Sequence, residues 1–193
     1  VIETAKEIRE LLGEIPFLFT FRTSKEGGNF QLPDEDYKTL NIAVAQSGYV
    51  DIVDVEIFTG DEIVTEMIEK IHAAGAKIIA SNHDFDQTPS QSDIVYRLRK
   101  MQDMGADIPK IAVMPQCKKD VITLLAATEE MATNFATQPI ITMSMAAQGS
   151  VSRLSGEYFG SALTFGAGEA ASAPGQISAD QLNDVLTIIH NSL

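Results

Sequence analysis

Three short stretches of this chain hold residues whose types suit covalent proton-transfer chemistry. "KIIASNHDF", from Lys77 to Phe85, spends one of only three histidines, His83, where a buried strand should end. "IPKIAVMP" carries Lys110 among apolar neighbours, and "FRTSKEGG" carries Arg22 and Glu26. A lysine shut inside a protein loses hydration, which favours its neutral form. A neutral amine attacks a ketone and forms a Schiff base. A nearby histidine shuttles protons to and from the adjacent carbon, and a carboxylate such as Glu26 orients and tunes that histidine. Lys110, His83, Glu26 and Arg22 thus form a coherent set for imine-based proton abstraction.

Taken singly, each has an ordinary explanation. Lys110 beside Glu56 fits a structural ion pair. His83 fits a hydrogen-bonded turn residue, Arg22 a counter-charge for Glu56, and Glu26 a solvated loop charge. Cys117 and the seven methionines read as packing, and His72 and His190 as helix-surface residues. Only the joint occurrence favours chemistry.

The last third adds anion chemistry. "GSVSRLSGEYFG", Gly149 to Gly160, puts Arg153 near the start of a helical segment that follows a strand. Helix N-termini and guanidinium groups both favour carboxylate or phosphate. "GAGEAASAPGQ", Gly166 to Gln176, is rich in small residues and reads as a lid. Within it Ser172 and Gln176 offer hydrogen bonds to a hydroxylated acid; an ordinary flexible loop is the alternative.

These groups need elements to hold them. Apolar spacing predicts helices over 1–12, 36–48, 60–75, 90–105, 118–134 and 178–193, with Gly13 stopping the first. It predicts strands over 15–23, 50–58, 76–83, 108–115, 139–145 and 161–168. Thr59 with Glu62, and Ser178 with Gln181, have capping-box spacing. A helix followed by six strand–helix units, the fifth closed by the helical segment that carries Arg153, means parallel strands covered by helices. No G-x-G-x-x-G follows the first strand and no G-x-x-x-x-G-K-[ST] occurs, so a nucleotide-binding open sheet lacks its main support.

The strands point to a barrel instead. Asp54 and Glu56 alternate with Val53, Val55 and Ile57; Lys77, Ile79, Ser81 and His83 share a face; Lys110 and Ala112 oppose Ile111 and Val113. An apolar face for helices and a charged face for a bore fit a barrel, whereas an open parallel sheet is apolar on both faces. In a barrel the strand C-termini gather catalytic groups at one mouth. Arg22 and His83 sit at strand ends as that requires. Lys110 lies early in its strand and would have to reach upward.

Composition sets limits. The length of 193 residues suits one sizeable domain. A net charge of −13 argues against non-specific nucleic-acid binding and makes Arg and Lys pockets necessary for any anionic substrate. No apolar run is long enough for a transmembrane helix, and no signal peptide opens the chain. The single cysteine excludes an internal disulfide and a cysteine zinc site, and a cytoplasmic setting is expected.

Together these stretches closely resemble type I 3-dehydroquinate dehydratase, the Schiff-base enzyme family of the shikimate pathway. "FTFRTSKEGG", "DVEIF", "IIASNHDF", "ADIPKIAVMP", "ITMSM", "SRLSGEYFGS" and "SAPGQ" stand in the family's order. The resemblance implies that Lys110 is the Schiff-base lysine, His83 the general acid–base and Glu26 the carboxylate assisting it. It implies that Arg22 binds substrate, that Arg153 holds the substrate carboxylate, and that Ser172 and Gln176 make lid contacts. It further implies a (β/α)8 TIM barrel, commonly dimeric, needing no metal and no cofactor, because the imine is the electron sink. The small-molecule substrate is 3-dehydroquinate, which loses water in a syn elimination to give 3-dehydroshikimate.

One departure is large: the family has eight strands and six are counted. The absent part is a β-α-β segment, and the family's E-x-R motif does not precede "VIETAKEIRELL". Residues 1–193 are therefore expected to form a single barrel domain lacking that segment, inactive and poorly folded unless a separate N-terminal segment completes it. The alternatives are an inactive fragment, one part of a split assembly, or another imine-forming barrel such as a class I aldolase.

Overall fold

A computed structural model of the chain describes residues 1–171 and 173–193. They divide into two compact units. The first contains Val1–Asn82 with Asp103–Ile108, and the second His83–Gln102 with Pro109–Leu193.

In the first unit, α1 (Ile2–Leu12) ends at Gly13, whose N–H still bonds Arg9 O while its positive φ of 58° turns the chain out of the helix. Arg9 spans from α1 to Asp51 and Tyr49 O, and Phe17 N donates to the same Asp51 carboxylate. This pins the entry of β1 (Leu18–Thr20) beside β2 (Ile52–Glu56). The two pair in parallel with Leu18 opposite Ile52, and β2 pairs in parallel with β3 (Lys77–Asp84), with Glu56 opposite Ser81. α2 (Asp34–Gln46) opens on three acidic residues that complement its N-terminal dipole. α3 (Asp61–Ala73) buries Val64, Met67, Ile68 and Ile71. Period-3.6 spacing gives the helices their apolar stripes, and period-2 alternation leaves Val53 and Val55 on one face and Asp54 and Glu56 on the other. All four are buried, so both faces of β2 are covered.

In the second unit, α4 (Gln91–Asp103, all but its last residue) packs Ile94, Val95, Leu98 and Met101 inward. β4 (Ile108–Val113, from Pro109 on) pairs in parallel with β5 (Ile141–Ser144), Lys110 facing Ile141. α5 (Lys118–Asn134) buries Val121, Leu124, Ala127 and Met131, and Thr128 meets Thr142 across 2.6 Å. α6 (Ser150–Ser155) and α7 (Ala179–His190) complete the unit.

Every pairing recorded between named strands is parallel, so the α/β class read from the alternation holds. Five strands form among the described residues rather than six. The strand expected over 161–168 survives only as isolated bridges, Ile140 to Ser161 and Ala167 to Ser178. The reason lies at β5. Its Thr142 N–H is taken by Ser161 Oγ at 3.0 Å and its Ser144 N–H by Ser152 Oγ at 2.8 Å. Side-chain hydroxyls occupy donors that a sixth strand would have used, so the ladder stops.

Smaller corrections concern caps and packing. Thr59 does not cap α3: Gly60 is the N-cap, and Thr59 Oγ1 turns back to Glu56 O. Ser178 does stand at the N-cap of α7, but its hydroxyl bonds the Gln181 side chain. Cys117 is exposed rather than packed and precedes α5, where Asp120 accepts the N–H groups of Gln116 and Cys117. No described helix is long and apolar enough to cross a membrane.

Candidate active site

The first unit holds a cluster of buried charge. Arg22, just past β1, sends Nη2 to Asp54 Oδ1 at 2.8 Å and Nη1 to Glu56 Oε1 at 3.0 Å, Ser81 Oγ at 3.1 Å and Glu26 Oε2 at 3.4 Å. Glu56 also accepts Thr23 N and Thr23 Oγ1 at 2.8 and 2.6 Å. The Glu56 N–H donates to the buried Tyr37 hydroxyl, so α2 props the same strand end. Burial works against the Arg22 charge, but Asp54, Glu56 and Glu26 outweigh it and raise its pKa above the usual arginine value.

Glu26 ends a short 3-10 turn, Ser24–Glu26, and is buried. Gly28 makes that turn possible: a Cβ there would lie 1.8 Å from Arg22 O. Burial first, and then the Glu56 charge, push Glu26 up to about 8, against the pull of Arg22 and Asn82. Glu26 therefore takes up its proton well above the ordinary carboxylate range, and Asn82 Nδ2 donates to its Oε1 at 3.1 Å. Sequence reasoning placed it as a solvated loop charge or as a carboxylate aiding His83; the solvated alternative is out.

The second unit holds a cavity of about 60 Å³ lined by His83, Phe85, Met143, Arg153, Phe165 and Gln176, among others. His83 lies next to the end of β3 and stacks on Phe85, ring centroids 6.5 Å apart. Lys110 is the third residue of β4, is 7% exposed, and points Nζ at the face of Phe165, 5.1 Å from its centroid. Arg153 is 1% exposed. Its Nη groups reach Met143 Sδ and Pro174 O, both at 3.4 Å, and its Nε has no hydrogen-bond partner. Burial alone lowers its pKa from the usual arginine value. Ser172 lies outside the described residues.

Of the residues singled out by sequence, His83, Arg153 and Gln176 line one cavity, and Lys110 touches its Phe165 wall. Arg22 and Glu26 belong to the first unit's cluster. Sequence reasoning missed Phe85, Phe165, Met143 and Met145 as wall residues. The signal was available for the methionines: Met143 in β5 and Met145 one residue past its end stand two apart, the spacing of one strand face. Phe165 gave no signal, since its strand does not form.

Parallel strands with buried charge on one face, each leading to a helix, define an α/β protein, the class to which (β/α)-barrel enzymes belong. A family model for type I 3-dehydroquinase matches residues 1–193, and the chain belongs to that family. It is 56% identical over 192 residues to the 3-dehydroquinate dehydratase of Salmonella agona, covering 100% of this chain and 76% of the relative. Among solved structures, the type I 3-dehydroquinate dehydratase of Clostridium difficile with covalent modified comenic acid is 52% identical, with a TM-score of 0.96. That match covers 99% of this chain and 75% of the other. The 3-dehydroquinate dehydratase of Geobacillus kaustophilus is 39% identical at TM-score 0.95, over 98% of this chain and 74% of the other. The chain thus spans about three-quarters of the proteins it matches.

Proposed function

We propose that this chain dehydrates 3-dehydroquinate to 3-dehydroshikimate, a step of aromatic amino-acid biosynthesis, through a Schiff base on Lys110. Neutral Lys110 Nζ adds to the ketone carbon. The carbonyl oxygen collects two protons, one from the nitrogen and one from His83, and leaves as water. His83, now neutral, removes a proton from the carbon beside the iminium, whose positive nitrogen accepts the electron pair. The same histidine then gives that proton to the departing hydroxyl. Hydrolysis of the conjugated imine frees product and lysine.

The observation that carries this reading is Arg153. A buried guanidinium that no carboxylate pairs with among the described residues, in one cavity with His83 and Gln176, fits a substrate carboxylate. The cavity is well below the roughly 300–1,000 Å³ of ordinary ligand sites. Ala173 and Gln176 line it, and the Ala173–Gln176 segment is assigned the opening motion of a lid. Ser172 and Gln176 are assigned hydroxyl contacts on that lid. Glu26 is assigned the tuning of His83, and Arg22 a substrate contact. The geometry that supports a second duty for Arg22 is its grip on three acids. A homodimer and a cytoplasmic setting complete the proposal.

Borohydride reduction in the presence of 3-dehydroquinate tests it. A ligand-sized mass on Lys110 is expected; modification at Lys77, or at no lysine, overturns the assignment. Turnover of aldol substrates without dehydration would favour the aldolase alternative.

A further inference from the structure

We propose that the Phe165 ring is the seat of the positive charge on the Lys110 nitrogen, and so a further residue of the reaction rather than a wall. The inference rests on the Schiff-base reading above. It comes from three observations. Lys110 Nζ lies 5.1 Å from the Phe165 centroid, within the roughly 6 Å at which a cation feels the negative face of an aromatic ring. Lys110 is buried, so solvent does little to weaken that attraction. Phe165 is held by its own backbone neighbours. Ala167 N donates to Ile177 O at 2.7 Å, Ala179 N donates to Ala167 O at 2.9 Å, and Gly166 lies so close to Ala179 that a Cβ would come within 2.9 Å of it. The ring therefore precedes a backbone pair that ties Gly166 and Ala167 to Ile177 and Ala179, and does not lie on the Ala173–Gln176 segment.

The nitrogen is cationic twice in the proposed sequence, as ammonium before condensation and as iminium after it. Between these states it must be neutral. One N–C bond forms, the carbonyl oxygen leaves as water with two protons, and the nitrogen keeps its remaining proton and the charge. A ring quadrupole stabilises the charge without offering a proton acceptor, unlike a carboxylate. It thus protects the protonated imine, the form that withdraws electrons. Exchange of charge between substrate-free and imine states occurs at one place, with the ring as its constant support.

Fluorinated phenylalanines at position 165 test this, because fluorine drains the ring face while its shape is nearly kept. With 3,5-difluoro- and pentafluorophenylalanine, labelling of free Lys110 by a neutral acylating reagent at fixed pH should accelerate, by about three- to thirtyfold for the full series. The protonated fraction of the imine formed with 3-dehydroshikimate, read from the 15N shift of 15N-lysine enzyme, should fall across the same series. Phe165→Trp should restore both and Phe165→Leu should resemble the pentafluoro ring. A space-filling role predicts no change with fluorine, and flat results in both measurements overturn the proposal. If the wild type forms no borohydride-trapped adduct, the Schiff-base reading fails. The acylation series, run without substrate, still decides whether the ring holds the ammonium.

Discussion

Asn82 donates its side-chain amide to Glu26 Oε1 across 3.1 Å, and the next residue in the chain is His83. The same Glu26 shares Arg22 Nη1 with Glu56, which holds the shorter contact, 3.0 against 3.4 Å. Two consecutive residues of β3 therefore carry different duties. One fixes a buried acid in the first unit, and the other lines the cavity of the second.

The protonation of Glu26 gives a stability signature. Its carboxyl titrates near 4.5 ordinarily and is pushed up to about 8 in the fold, chiefly by burial. Between those values the folded chain keeps a proton that the unfolded chain has released. Stability from this group is complete below about 4.5, declines as pH rises to about 8, and is flat beyond. Glu26→Gln removes the decline. Urea unfolding of both proteins on either side of that window should show the variant gaining on the wild type by a few kcal/mol as pH rises, an order-of-magnitude figure. A constant difference across the window would mean that Glu26 ionises as an ordinary carboxylate.

Arg153 should separate stability from binding. Burying a charge without a counter-charge costs free energy, and a well-packed apolar residue avoids that cost. Arg153→Met is expected to unfold at the same temperature as the wild type or higher, while KM for 3-dehydroquinate rises about 10- to 100-fold, the scale of one charge-assisted bond or two. A large loss of thermal stability in this variant would make the guanidinium a structural element instead.

Arg22 offers the opposite expectation. It is held by Asp54, Glu56 and Glu26, so Arg22→Met strands three buried acids and should destabilise by about 3–5 kcal/mol. Arg22→Lys keeps the charge but not the fork that serves four acceptors. If Arg22 also touches substrate, the lysine variant will show a raised KM at a pH where it remains folded. An unchanged KM there would leave Arg22 with the structural duty alone.

How far the sequence showed these features depends on what each one needs. α5 is legible residue by residue, Lys118–Asn134, because a helix satisfies its own backbone and announces its stripe. β1 was expected over nine residues and pairs over only three, Leu18–Thr20. Phe21 looks like strand, yet a strand exists only where a neighbour's ladder reaches it, and Phe17 meets β2 through its carbonyl alone, which accepts Ile52 N. The segment 161–168 fails for the same reason, its would-be donors on β5 being claimed by Ser152 and Ser161. At the site, Lys110, His83 and Arg153 stood out because charged types in apolar runs are conspicuous. Phe165 did not, since a phenylalanine in an apolar run is ordinary until its distance to an ammonium group is known.

The last expectation concerns the segment that must move. Pro174 O accepts Ala146 N at 3.2 Å and Arg153 Nη2 at 3.4 Å, so one carbonyl ties the proposed lid to a turn and to Arg153. Gly175 follows at φ +78°, and a Cβ there would lie 2.2 Å from Ala146 O. Ala146 in turn holds φ 55° and ψ 179°, a region that residues with a Cβ rarely occupy. Strain on one side and close approach on the other leave the docked lid dependent on glycine. Gly175→Ala should undock it without disturbing the core, lowering kcat/KM by about 10- to 100-fold, the usual penalty for a misplaced binding group. Gly168→Ala is the control in the same stretch, because a Cβ there meets nothing within 4 Å. Ala146→Gly relaxes the turn and should stabilise the fold by about 1 kcal/mol. Steady-state kinetics and thermal unfolding of the three variants decide the matter: if Gly175→Ala turns over as well as Gly168→Ala, docking of this segment contributes nothing to substrate capture.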